Sequence, residues 1–217
     1  MFYRQLQEAA RLNFTGASLL ASNDAGNAVK ALKAALQIMQ NLTMTPEADD
    51  HAIRFHKEQV CSAIELPQMC DSFYVFNKAL IFNVTEEVDL GFYNAVIMFN
   101  MALAFHQHGL AFGQDNKLRK AIHIYGLCSK LLDGDKTASS ASLLMAAINN
   151  QAQVHYALSE YENARQVLDQ LKACAEDAVA TMDTETTNES SPFQPQDMDE
   201  FFLNIAITQP PTAAPMA

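Results

Sequence analysis

Apolar residues recur every three or four positions over three long stretches of the chain, and a short run of turn-forming residues interrupts each stretch once. This spacing is typical of amphipathic helices that bury one face. The interruptions lie at 23–27, at 109–114 and at Ser159-Glu160, and the second predicts a longer loop than the others. The pattern therefore predicts three antiparallel helix pairs, near 2–42, 92–132 and 139–178.

The stretch between the first two pairs has a different pattern. Residues 46–64 predict either a helix that begins near Pro46 or a disordered segment, because their apolar positions fit one helical face poorly. Residues 73–82 concentrate aromatic and β-branched residues on both sides of Asn77-Lys78. This composition predicts extended chain, either a two-residue hairpin or a single strand that lies across the helices.

After a helical domain at 1–180, the chain becomes rich in Thr, Glu, Ser, Asn and Pro, a composition that buries too little apolar surface to fold. A short amphipathic pattern follows, with Asp197 as its cap and with Phe201, Phe202 and Ile205 turned inward. Proline-rich residues then end the sequence. The pattern predicts a flexible linker at 181–196, a C-terminal capping helix at 197–207 and a loose tail at 208–217.

Composition narrows the classes of protein that this pattern allows. The 217 residues carry 14 basic and 25 acidic side chains, and the formal charge of −11 disfavours nucleic acid and anionic membranes as partners. A membrane-spanning helix needs about 18 uninterrupted apolar residues, and no run in the sequence is nearly that long. The first residues also lack the charged region and the apolar region that make up a secretory signal. None of the four cysteines forms a C-x-x-C motif, so we expect free thiols. These features predict an intracellular protein, cytoplasmic or nuclear.

The third helix pair resembles a tetratricopeptide repeat (TPR). The similarity is greatest over residues 158–164, and Ile148, Asn150, Ala152 and His155 take the corresponding positions of the preceding helix. The other two pairs match the same frame less completely, through Leu12, Gly16, Leu19, Ala25, Ala28, Leu32 and Ala35 in the first and Met98, Asn100, Ala102, Phe105, Gly109, Ala121, Tyr125 and Cys128 in the second. The resemblance implies an all-α fold of antiparallel helix pairs, stacked as a right-handed solenoid, with a short extended or hairpin insertion near 73–82.

The chain also resembles a family of short TPR-like proteins from microalgae. The similar stretches are residues 96–106, Leu118-Arg119-Lys120-Ala121, Phe201-Phe202-Leu203-Asn204 and the tail rich in Pro and Ala. This second resemblance implies the same fold, and it brings no activity, substrate or cofactor with it.

Motifs that support catalysis are missing from the sequence. It contains no G-x-S-x-G nucleophile elbow and no glycine-rich phosphate loop. His106 and His108 are two residues apart and point away from each other on a helix, whereas metal ligands on one helical face lie three or four residues apart. Paired acids such as Asp199-Glu200 lie in loops or at helix starts, where they favour the helix dipole. We therefore expect a protein that is not an enzyme and has no metal and no cofactor.

In the repeat frame, the inner positions of the first helix of each pair hold no Lys and no Arg. An apolar, amide-lined face of this kind suits an apolar or amphipathic segment of a protein or peptide partner. The prediction is a non-catalytic interaction module or adaptor that binds through this groove. The alternative is an obligate structural or self-associating subunit, a homo-oligomer, whose groove is filled by residues 73–82 or by the C-terminal helix of its own chain. The candidate groove residues are Asn13, Ala17, Leu20, Phe99, Leu103, His106, Asn149, Gln153 and Tyr156.

Overall fold

The computed structural model of the chain describes residues 1–44, 61–67, 74–84, 88–135, 137–182, 193 and 195–208. These residues form a mostly helical fold with one small antiparallel sheet. The helices are α1 (Phe2–Ala21), α2 (Ala25–Thr43), α3 (Leu90–Phe112), α4 (Asp115–Leu132), α5 (Ala138–Ala157), α6 (Tyr161–Met182) and α7 (Pro195–Thr208). The strands are β1 (Cys61–Glu65) and β2 (Lys78–Phe82). The three predicted helix pairs are confirmed as α1–α2, α3–α4 and α5–α6.

The three helix pairs turn in a similar way. Each turn contains one residue with a left-handed backbone: Asn23 (φ 60°), Gly113 (φ 59°) and Ser159 (φ 59°). The predicted longer loop at 109–114 is wrong, because α3 continues through Phe112 and only two residues separate it from α4. Gly113 ends α3 there, since glycine adopts a positive φ without steric cost.

Two glycines let the helices of the first two pairs approach closely. A Cβ atom on Gly16 would lie 2.6 Å from Cγ of Leu32, and one on Gly109 would lie 2.6 Å from Cδ2 of Leu118. A side chain at either position would require the facing leucine to shift, and at Gly109 it would also come within 3.1 Å of the backbone N of Leu118. Among the described helices, each one from α1 to α6 packs on the next described helix.

The two strands pair across a sequence separation that the chain pattern did not indicate. Cys61 lies opposite Phe82, and Glu65 lies opposite Lys78. The predicted hairpin within 73–82 is therefore wrong, and so is a helix over 61–64, while 46–60 lie outside the described residues. Local composition identified extended chain correctly, but it could not identify the partner strand.

The C-terminal helix also differs in detail from its prediction. It begins at Pro195, so Asp197 lies in the first turn and is not the cap. Phe201 and Ile205 are buried as predicted, whereas the Phe202 side chain is 39% exposed and Asn204 is buried in its place. Residues i, i+3 and i+4 share one helical face, which is why 201, 204 and 205 turn inward together. Most of the predicted linker, at 183–192, and nearly all of the tail, at 209–217, lie outside the described residues.

One helix of the described part, α3, is long and apolar enough to cross a membrane by length and composition alone. In the folded protein, 67% of its most apolar window is buried. A buried core helix can meet the same criteria of length and composition. The helix α3 packs against α2, α4 and β2.

Candidate functional site

Residues 74–82 form an extended segment, called the arm below, that lies along the helices and is bound at both of its backbone edges. The first edge faces β1: the N–H of Leu66 donates to the carbonyl of Asn77 at 2.8 Å, which continues the strand pairing. Because successive residues of a strand alternate, the even-numbered residues of the arm present their N–H and C=O groups to the helices on the other side. Side chains of the arm such as Phe76 and Leu80 are fully buried.

Four asparagines from four different helices bind this second edge. They are called the asparagine row: Asn13 of α1, Asn100 of α3, Asn150 of α5 and Asn204 of α7. The Asn150 carboxamide accepts from the N–H of Phe76 at 2.8 Å and donates to the C=O of the same residue at 3.0 Å. Asn100 makes the same pair of bonds to Leu80, at 2.9 and 2.7 Å. Each carboxamide therefore bonds one arm residue as a neighbouring strand would.

The remaining members of the row complete the network. Asn204 accepts from the N–H of Tyr74 at 3.2 Å and donates to its C=O at 2.8 Å. Asn149, next to the row on α5, donates to the same carbonyl at 3.2 Å and accepts from Asn204 at 2.7 Å. Asn13 donates to the C=O of Leu80 at 2.9 Å. These bonds satisfy carboxamides that are fully buried, as a stable core requires.

The chemistry of the row is recognition of peptide backbone. An N–H and a C=O are present in every residue except proline, so these bonds select an extended conformation and not a side chain. Selection by side chain falls instead to the buried arm positions, where Phe76 stacks on Phe193 with ring centroids 4.9 Å apart and meets Phe99 edge-on at 5.9 Å.

A buried ion pair joins the arm to α7. The Lys78 ammonium lies 2.7 Å from Oδ2 and 3.0 Å from Oδ1 of Asp197, and both side chains are almost fully buried. The Tyr74 hydroxyl donates to the same carboxylate. Burial and this carboxylate raise the pKa of Tyr74, so its hydroxyl stays a donor over the physiological range. The carboxylate is thus bound by two groups of the arm.

The structure places the predicted groove residues beneath the arm or deeper in the core. Eight of the nine are buried, and only Tyr156, at 37% exposure, reaches the surface. Asn13 and Asn149 bond the arm directly. The face around them is therefore not an open groove, because residues of the same chain occupy it.

Sequence reasoning did not identify Asn100, Asn150 and Asn204 as binding residues. The signal that was available is that Asn100 and Asn150 hold the same position in the repeat frame of two helix pairs. A polar residue repeated at a position that faces a core indicates a shared partner, which here is the arm backbone.

His106 lies behind the row in a fully buried position. Its Nδ1 is 3.5 Å from the Tyr125 hydroxyl, which in turn accepts from Asn150 at 3.3 Å. Burial lowers the pKa of His106 to about 4, so the imidazole is neutral at neutral pH. Within the described ranges, no group of three or more His, Cys, Asp or Glu side chains is arranged to hold a metal ion.

The cysteines of the described part are poor nucleophiles. Burial raises the pKa of Cys61 to about 12 and raises that of Cys128 as well. Partial burial also raises the pKa of Cys174. A thiol attacks as its thiolate, so these three residues lack the reactive form at neutral pH. Cys70 lies outside the described residues.

The chain was compared with protein families, with curated proteins and with solved structures. No match was found in any of the three comparisons. The likeness to tetratricopeptide repeats thus stays a prediction from the residues.

His106 gives the fold a predictable dependence on pH. An imidazole in the unfolded chain takes up a proton near its usual pKa of about 6.5, whereas the buried one does so only near pH 4. The unfolded state therefore binds more protons in this window, and stability falls as the pH decreases from about 6.5 towards 4. We expect this group to account for a loss of about 3 kcal/mol over the full window.

The measurement is the free energy of unfolding of the wild type and of His106→Gln, each followed by urea titration from pH 8 to pH 4. The difference between the two proteins should stay constant above pH 7 and shrink at lower pH. A constant difference throughout would mean that His106 titrates normally in the folded protein.

Proposed function

We propose that this protein is a non-catalytic structural subunit that self-associates and whose inner helical face is filled by its own chain. Its helices would stack as a TPR-like right-handed solenoid. Two features support this stack. Each of the three turns contains one residue with a left-handed backbone, and the helices of two pairs approach closely at Gly16 and Gly109. A repeat protein uses the same pair geometry several times in this way. The absence of a cofactor and the intracellular location stay predictions from the sequence.

One observation carries the choice between adaptor and structural subunit. The asparagine row and the buried ion pair are both occupied by the arm. An adaptor that used this face would first have to expel the arm, which exposes Phe76, Leu80 and the carboxamides to water. The filled face therefore favours the structural subunit.

An adaptor remains the second candidate because of one surface. Tyr156, the exposed member of the predicted groove, contacts Tyr161 edge-on with ring centroids 5.0 Å apart. Exposed tyrosines are common in protein interfaces, since they combine a large apolar ring with a hydroxyl.

Light scattering across a concentration series from micromolar to millimolar tests the proposal. A self-associating subunit should show a mass that rises from 24.0 kDa towards twice that value. A mass of one chain at every concentration would overturn self-association. The matched variant Tyr156→Ser with Tyr161→Ser should leave the rise unchanged, because the proposal does not use this tyrosine pair.

A further inference from the structure

We propose that the arm of one copy docks on the asparagine row of a second copy, in a reciprocal exchange between two chains. This inference rests on the proposed self-association and names the contact that would produce it. In the folded chain the arm of the same chain occupies this site, an arrangement called cis below. The exchanged dimer would use the same contacts and would require no new surface.

The first support is the way in which the row binds the arm. The bonds from Asn100 and Asn150 to the arm go only to backbone N–H and C=O groups and to no side chain of the arm. Such bonds depend on an extended conformation and not on the covalent connection between the arm and the helices. An arm from another copy therefore satisfies the carboxamides equally well.

The second support is the length of the connection that carries the arm. Residues 44–89 join α2 to α3, although these two helices pack directly on each other. Connections between neighbouring helices are usually about 2–8 residues long. The connection that carries the arm is therefore much longer than the contact between these two helices requires.

The third support is the chemical fit of the occupant. The site has a buried carboxylate, Asp197, that receives the ammonium of Lys78, and an aromatic pocket that receives Phe76 between Phe99 and Phe193. A second copy of this chain carries all of these features in the same register. Two copies that exchange arms also close as a symmetric dimer and leave no free site.

Competition in cis determines when exchange is observed. A tethered arm competes as if it were present at about millimolar concentration, so the cis form prevails in dilute wild-type protein. This competition is removed by variants in which an arm fits poorly on the row of its own chain but fits well on the row of the second chain. The ion pair between arm and α7 allows such a design.

The experiment reverses one charge in each of two chains. Lys78→Asp places two carboxylates together in cis, and Asp197→Lys places two ammonium groups together in cis. In a mixture of the two variants, exchange of arms brings opposite charges together at both sites. We expect co-refolded mixtures to give a heterodimer with twice the mass of the 24.0 kDa chain, and a melting temperature about 5 °C or more above that of either variant alone.

The control is a single chain with both substitutions, Lys78→Asp and Asp197→Lys. It restores opposite charges in cis and should fold as the wild type does. If this chain folds while the mixture shows neither a heterodimer nor a raised melting temperature, exchange of arms is overturned. If the wild type still self-associated in light scattering, a different surface would be responsible. Self-association and exchange of arms can therefore be overturned independently.

A second pair of variants decides the matter if the reversed charges prevent folding in the control chain. One chain carries Asn100→Ala with Asn150→Ala, and the other carries Phe76→Ala with Leu80→Ala. Only the mixture contains an intact row and an intact arm, on different chains. A heterodimer in this mixture supports exchange, and two unassociated chains overturn it. A chain with all four substitutions, mixed with the row variant, should give no heterodimer.

Discussion

Replacing Asn150 with alanine is expected to lower the free energy of unfolding by about 3–5 kcal/mol. The substitution removes the acceptor for the N–H of Phe76 and the donor for its C=O. It also removes a donor to the hydroxyl of Tyr125, which is fully buried. A buried polar group without a partner costs about 1–3 kcal/mol, and alanine leaves several of them at once.

Urea titration at pH 7 measures this loss. The matched control is Asn163→Ala, because Asn163 is exposed and makes one long bond of 3.4 Å to Glu160. A surface change of this kind alters stability by at most about 0.5 kcal/mol. A loss below about 1 kcal/mol for Asn150→Ala would mean that the arm is not held by its backbone, and the description of the row would be wrong.

Replacing Asp197 with alanine is the second large effect, with an expected loss of about 3–5 kcal/mol. The substitution leaves the Lys78 ammonium buried next to the Phe76 ring without its carboxylate. Glu65 lies 3.9 Å from the ammonium, but its side chain is largely exposed and water screens the attraction. A buried charge without its partner is costly because it has lost its hydration.

Two further variants separate the loss of the pair from the loss of α7 packing. Lys78→Met combined with Asp197→Leu removes both charges and should recover the part of the loss that comes from the unpaired ammonium, since well-packed apolar residues often replace a buried pair at little cost. The bond from the Tyr74 hydroxyl to Asp197 is lost both in this double variant and in Asp197→Ala. Glu162→Ala breaks an exposed pair with Arg165 and should leave stability nearly unchanged, because water screens the attraction. Equal losses in Asp197→Ala and in the double variant would indicate that packing and the bond from the Tyr74 hydroxyl, and not charge, hold α7 to the arm.

The helix pairs could be predicted because their information is local. A repeat of apolar positions every three or four residues specifies which face of a helix is buried, whatever lies against it. Gly16 and Gly109 were both matched to the repeat frame, and a Cβ at either position would lie 2.6 Å from a leucine side chain of the paired helix. The extended course of 78–82 was likewise predictable from its aromatic and β-branched residues.

The partner of that strand could not be predicted in the same way. Pairing between Cys61 and Phe82 joins residues from two separate segments, and neither segment contains a signal that specifies the other. The turn-like dipeptide Asn77-Lys78 suggested a hairpin, but the Asn77 side chain donates instead to the carbonyl of Leu66 at 2.9 Å. In the sequence, an asparagine that bonds the backbone of a distant residue cannot be distinguished from an asparagine that forms a turn.

The same limit explains why the face that the sequence predicted as a binding groove is covered by the arm in the structure. The sequence established an inner face that is apolar and rich in amides, without Lys or Arg. Whether such a face stays open or is covered depends on contacts between residues as distant as Asn204 and Tyr74.

The sequence by itself thus determined three helix pairs, an uncharged inner face and an extended segment. Only the tertiary structure decided that the segment fills the face and that asparagines of four helices bind its backbone. The physical reason is that periodicity encodes burial, which each residue carries locally, whereas a hydrogen bond to backbone needs two partners whose distance is fixed by the whole fold.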